Sequence, residues 1–290
     1  MKLVIDRATS TNVELKASRY LVGDEKENYL EHHGIKGQKW GVRNGPPYPL
    51  VTKAHDFIVD GNKSSSKLEE QRQKVRTRLD ARTNGFESLD SIPKAKIDYF
   101  DEVFNKKNEK AFLSGINKVA AMRQDVQENG LTLEQADAKY YKRTHNCYLC
   151  TQAGIMRLKG FEVRAQESDR GFPGSITRSI LWDGATTAKG SFDNWHQAMD
   201  CLSSRGPGSY GNFNFTWNKG GGHSVIWAVN KNEVVIMDGQ YESIRGTYNI
   251  HSGEFSKGLS KYIDRIDLSK LILQDMTNAK PTEYMLKLIE

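Results

Sequence analysis

Cys147, His223 and Asp238 are the residue types from which a thiol nucleophile, its base and the carboxylate that orients the base are built. The spacing of the last two already carries information. His223–Val229 and Glu233–Asp238 are β-rich runs on either side of Asn230-Lys231, which reads as a hairpin. With Asn230 and Lys231 as the central turn residues, Val229 pairs with Asn232 and His223 falls directly opposite Asp238. Such partners share one face with Cβ atoms about 4.5–5.5 Å apart, close enough for an imidazole–carboxylate hydrogen bond. Val225 with Ile236 and Trp227 with Val234 continue that face as packing. A polar pair of no function at a strand end fits the same pattern, so the pair needs a nucleophile to become a site.

Cys147 lies in Thr144-His145-Asn146-Cys147-Tyr148-Leu149-Cys150, at the head of a predicted helix running to Leu158 and ended by Gly160. A helix N-terminus favours thiolate, and its free N–H groups can hold an oxyanion. Buried apolar cysteine is the competing role, and Cys150, one turn further on, fits it better than Cys147. A redox Cys-x-x-Cys pair would need a preceding strand, which Lys139–His145 does not resemble. A zinc site would have to recruit His145 and Cys201, with no tight second ligand pair, so no metal and no other cofactor is expected. Three cysteines are too few for a disulfide framework and point to a reducing compartment.

These residues must be held by elements the chain can form. Its 290 residues are 37% hydrophobic and 10% aromatic, enough to bury a core. No apolar run approaches the ~20 residues of a membrane span, and the first residues are charged too early for a secretory signal, so no membrane partner is expected. Residues 1–150 hold 26 Lys and Arg against 21 Asp and Glu, and residues 151–290 hold 16 against 15. The basic cluster Arg72, Lys74, Arg76, Arg78 and Arg82 reads as a solvated helix face rather than a nucleic-acid contact.

Residues 1–50 read as an irregular basic arm, closed by Gly45-Pro46-Pro47-Tyr48-Pro49. Residues 51–144 read as helical, with capping boxes at Ser66/Glu69 and Thr132/Gln135. Within them 93–105 reads as one helix, and Phe112, Ile116, Val119, Arg123 and Val126 step as one helical stripe. Beyond 145 the texture is mixed: a short strand at Phe161–Ala165, a loop over 166–190, a helix through Phe192, Trp195, Met199 and Leu202, and an alternating strand at Phe213, Phe215 and Trp217. The expected fold is α+β: a helical N-terminal region, then a domain over 145–268 whose nucleophile helix packs on an antiparallel sheet, with 269–290 as a C-terminal tail.

Asn146-Cys147-x-x-Cys150, then Arg157–Ala165, then Gly220-Gly221-Gly222-His223-Ser224-Val225 with Val235-Ile236-Met237-Asp238-Gly239-Gln240, resembles the papain-fold toxin family over roughly 140–245. Its members are cysteine peptidases or glutamine deamidases. The resemblance implies a papain-like domain acting on a protein amide, with Cys147 as nucleophile, His223 as base and Asp238 as orienter. Gln240 matches the family's Asp-x-Gln ending as an accessory residue. Position 141, six before the cysteine, is Tyr141 rather than papain's glutamine, so oxyanion stabilisation falls to backbone N–H groups or to an unidentified donor.

His32–Arg43 in the arm resembles a segment recurring in proteins encoded among phage head-assembly genes of Gram-positive bacteria. That implies docking to phage head or capsid proteins, and a location in the bacterial cytoplasm or the virion. A structural or cargo protein of the phage head that keeps the fold without turnover is the alternative to the enzyme.

Overall fold

The computed structural model describes residues 57–59, 66–188 and 191–290. The expectations for the arm lie outside the described residues. The described chain runs β1 (Phe57–Val59), α1 (Ser66–Asp80), α2 (Tyr99–Phe104), α3 (Glu109–Leu113), α4 (Ala120–Gln127), α5 (Leu133–Lys139), α6 (Tyr141–Thr144), α7 (Cys147–Leu158) and α8 (Gly174–Leu181). It continues through β2 (Trp182–Asp183), β3 (Thr186–Ala188), α9 (Trp195–Ser203), β4 (Tyr210–Trp217), β5 (Gly222–Val229), β6 (Glu233–Asp238), β7 (Ser243–Asn249), α10 (Lys257–Ile263), β8 (Ile266–Asp275) and β9 (Lys280–Pro281). The fold is α+β, as expected.

Seven strands form one antiparallel sheet in the order β1-β3-β8-β4-β5-β6-β7. Period-two alternation divides β5 and β6 between two cores. Ile226, Ala228, Val235 and Met237 face α7 and the N-terminal helices, while Val225, Trp227, Val229, Val234 and Ile236 face α9 and α10. A strand buried on both faces reads as an unbroken apolar run, which is why Val225–Val229 contains no polar residue. Helix α7 is buried along almost its whole length, and each of its fully buried Leu, Ile or Met side chains contributes about 1.5–3 kcal/mol. Gly154 lets it approach: a Cβ there would run into Ile226 Cδ1 of β5.

Several expectations need correction. The hairpin register is displaced by two residues, for Val229 pairs with Val234 and Trp227 with Ile236. A two-residue turn would need positive φ at Asn230 and Lys231, and neither has it. Instead Asn230 Oδ1 accepts from the N–H groups of Asn232 and Glu233, both at 2.9 Å, making an Asx turn that lengthens the loop.

The stripe from Phe112 to Val126 is two helices. Gly115 and Lys118 adopt positive φ between them, and Arg157 Nη1 donates to the carbonyls of Phe112 and Ser114 at 2.8 Å, taking acceptors a continuous helix would use. The helix expected at 93–105 is confined to α2, capped by Asp98. Phe161 and Ala165 make only isolated bridges, and the expected loop 166–190 contains α8, β2 and β3.

Residues 269–290 are no tail. They include most of β8, which lies between β3 and β4, and Met285, Leu286, Leu288 and Ile289 are in the core. That core also holds Val75, Tyr99 and Phe112 beside Leu149 and Ile155, so packing runs continuously across position 144.

Candidate active site

The site forms where the N-terminus of α7 meets the ends of β5 and β6. Gly220 and Gly221, both at positive φ, turn the chain between β4 and β5, and Trp217 N donates to Gly221 O at 2.9 Å. His223 follows at the start of β5. Its Nε2 lies 2.8 Å from Asp238 Oδ2 at the end of β6. A two-residue register shift turns a directly opposed pair into a diagonal one but keeps both side chains on the same face, so the contact survives.

With Nε2 turned to Asp238, Nδ1 is the ring nitrogen left for a second partner, and the Cys147 thiol lines the same cleft and favours the charged form of the ring. Trp217 stacks on the imidazole at 5.7 Å and Phe215 meets it edge-on at 5.6 Å, which limits the ring's freedom.

Asp238 is fully buried and uses both oxygens. Oδ1 accepts from the N–H groups of Gln240 (3.0 Å) and Tyr241 (3.3 Å). Oδ2 receives His223 and also Arg245, from Nε at 3.1 Å and Nη2 at 2.6 Å. Burial would raise this carboxyl, but His223 and Arg245 outweigh it and lower it to about 2. Burial likewise opposes the imidazolium of His223, yet the Asp238 charge overcomes it and raises the group to about 10. Both groups are therefore held charged at neutral pH.

Cys147 is half-buried, whereas Cys150 and Cys201 are buried. Burial pushes the Cys150 thiol well up, which suits packing and not attack. Asn146 precedes α7 without capping it through its side chain, so the first-turn N–H groups have no side-chain acceptor. Asn146 instead donates to Asn117 Oδ1 at 2.6 Å and to Gln166 O at 3.0 Å. Asn117 donates to the carbonyls of Arg143 and Gln240, both at 2.8 Å, and Gln240 Nε2 reaches Asn146 Oδ1 at 3.4 Å. Gln240 thus ties the loop after Asp238 to the residue before Cys147. Gly239 allows this closeness, since a Cβ there would stand 3.0 Å from Cys150 O.

Cys147 and His223 open onto a cleft of about 470 Å³, whose walls include Phe172, Gly174, Asn214, Ser224 and Lys270. Among the described residues there is no cluster of His, Cys, Asp or Glu suited to a metal. The groups that thiol acyl transfer requires are present at this cleft: a thiol, an imidazole, a carboxylate bonded to the imidazole, and helix N–H groups without a side-chain cap.

Sequence reasoning missed Arg245 and Asn117. Arg245 is the extra residue of a β-bulge, because Ile236 pairs with Gly246 and Met237 with Ile244. Asn117 sits in the break between α3 and α4, where the apolar stripe masked it; the glycine at 115 was the available signal.

Residues 145–242 match the model of the family described as papain fold toxin 1, glutamine deamidase. Residues 23–47 match a family of unknown function, DUF7211. Comparison with curated proteins and with solved structures returned no match. The matched papain-fold segment contains Cys147, His223 and Asp238 and supports a papain-like hydrolase or deamidase.

Proposed function

We propose that this protein is a papain-like thiol hydrolase that converts protein glutamine to glutamate. The observation that carries the reading is the imidazole of His223, bonded to the Asp238 carboxylate at 2.8 Å and lining the same cleft as the Cys147 thiol. Sγ attacks the carboxamide carbon as the thiolate of a thiolate–imidazolium pair with His223. The tetrahedral oxyanion is met by N–H groups at the head of α7. The imidazolium then protonates the leaving nitrogen, and ammonia departs from a thioester. Water, deprotonated by the now neutral His223, attacks the thioester to release glutamate and restore the thiolate–imidazolium pair. Deamidation rather than peptide cleavage is favoured by the family description matched over 145–242.

The test is incubation with glutamine-containing protein substrates, read by ammonia release and by mass spectrometry. Ammonia with the small mass gain of Gln to Glu supports the proposal; cleaved chains without ammonia replace it with a peptidase. Neither product, together with Cys147 alkylated by iodoacetamide no faster than a free thiol, leaves the non-catalytic phage-head protein as the reading.

The arm is a separate part of the proposal. Its docking to phage head proteins rests on the resemblance of His32–Arg43 alone, for the family matched over 23–47 is of unknown function. Deleting residues 1–45 should abolish incorporation into particles and spare hydrolysis of a small reporter; unchanged incorporation removes the docking idea.

A further inference from the structure

A row of buried side-chain amides runs beneath the cleft, and its polarity is set at one end. The indole N–H of Trp182 can only donate, and it donates to Gln152 Oε1 at 2.6 Å. Gln152 Nε2 must then face Asn212 Oδ1 at 3.3 Å, and Asn212 Nδ2 donates to Gln274 Oε1 at 2.9 Å. Asn214 Nδ2 donates to the same Gln274 oxygen at 3.1 Å. Asn214 is left with Oδ1 as its spare group, an acceptor, and that oxygen is buried without a partner, as is Gln274 Nε2 in the same row.

Asn214 pairs across the sheet with Ser224, whose Oγ is also buried and unpartnered. Cross-strand partners share a face, with Cβ atoms about 4.5–5.5 Å apart. Both residues are more than nine-tenths buried and line the same cleft as Cys147 and His223. A buried polar atom without a partner costs about 1–3 kcal/mol, and a pair of them beside a nucleophile is accounted for if a ligand completes them. Gly174 borders this oxygen, and a Cβ there would stand 3.3 Å from Asn214 Oδ1.

We propose that Asn214 and Ser224 form a subsite that reads the primary carboxamide of the substrate side chain. Asn214 Oδ1 accepts a carboxamide N–H, and Ser224 Oγ donates to the carboxamide oxygen. The inference rests on the hydrolase reading above and narrows it. In a trans peptide bond the N–H points away from the carbonyl oxygen, so neighbouring groups on one side cannot take both. A primary carboxamide has one N–H on the same side as its oxygen and can engage the two together. The glutamate product lacks any N–H and turns a carboxylate oxygen toward Asn214 Oδ1, which favours its release.

The test uses the full chain and two probes differing only at the side-chain end: N-acetylglutamine methylamide and the γ-methyl ester of N-acetylglutamate methylamide. Occupancy is read as slowing of Cys147 alkylation by iodoacetamide, and turnover as ammonia or methanol release. Asn214→Ala should weaken occupancy by the carboxamide about tenfold and leave the ester within about twofold, because the ester has no N–H to lose. Ser224→Ala should weaken both probes. Gly174→Ala, which crowds Asn214 Oδ1 but keeps the Nδ2 donor to Gln274, should repeat the Asn214→Ala pattern if that variant fails to fold. Equal loss for both probes, no loss for either, or no protection of wild-type Cys147 by the carboxamide overturns the subsite. Failure of the hydrolase reading looks different: the selective occupancy pattern holds, but no ammonia is released.

Discussion

His223 and Arg245 converge on a single atom, Oδ2 of Asp238, at 2.8 and 2.6 Å. One carboxylate oxygen is thus shared between the proposed base and a guanidinium that always carries charge. Arg245 keeps Asp238 ionised but draws part of its field away from the imidazole. Arg245→Gln should therefore stabilise the imidazolium and move the alkaline limb of kcat/KM upward, on the order of one pH unit. A limb that moves down in the pH–rate profile would show that Arg245 does not compete with His223.

Asp238→Asn acts in the opposite sense. The amide removes the charge that favours imidazolium and faces an N–H toward groups that also donate. Turnover should fall on the order of 10–10³-fold; the comparable change in a serine-protease triad costs about 10⁴, and a thiolate–imidazolium pair leans less on its third member. Near-wild-type turnover would leave a Cys147–His223 dyad.

The same variant should reveal a pH window in stability. Asp238 is lowered to about 2, so its contribution is complete above about 3.8 and is lost as pH falls toward 2. His223 is raised to about 10, so its contribution is complete below about 6.5 and is lost as pH rises toward 10. Wild-type stability minus that of Asp238→Asn, from urea unfolding across pH, should be greatest between about pH 4 and 6.5. A difference independent of pH would mean that the ion pair adds nothing beyond packing.

The two cysteines of Cys-x-x-Cys should separate cleanly. Cys147→Ala should abolish turnover with little change in Tm, while Cys150→Ala should retain turnover and lose about 1–2 kcal/mol to a small cavity beneath Gly239. In the native protein iodoacetamide should label Cys147 and spare Cys150 and Cys201 until denaturant is added. Activity lost only in Cys150→Ala would reassign the nucleophile.

Asn117→Ala removes two donors and one acceptor from a closed set of buried amides and carbonyls. It should destabilise the fold by about 2–4 kcal/mol and slow both turnover and Cys147 alkylation, because Asn146 loses its 2.6 Å acceptor. A loss of stability with an unchanged alkylation rate would confine Asn117 to the scaffold.

The place of Cys147 at a helix start and the contact of His223 with Asp238 were legible because they depend on residue type, on a helix start and on strand alternation. The alternation tolerated an error: the expected register was wrong by two, and an even shift preserves the face. An odd shift would have separated His223 from Asp238. What stayed hidden depends on breaks in regularity. Arg245 is aimed by a bulge, and Asn117 by an interruption that the buried Arg157 imposes from far along the chain. Neither leaves a periodic trace, and a continuous stripe was the simpler pattern at 112–126. The place of 269–290 in the core was equally invisible, since an apolar run does not say which strands will flank it.

Strand β8 lies between β3 and β4, yet it follows both in the chain. During synthesis from the N-terminus the Cys147 helix, β5 and β6 emerge while β4 still lacks its neighbour. A nascent chain stopped before Ile266 would carry every proposed catalytic group beside an open sheet edge, the kind of surface that recruits chaperones or aggregates. Completion of the sheet, and with it any activity, is postponed until the ribosome has delivered the residues of β8.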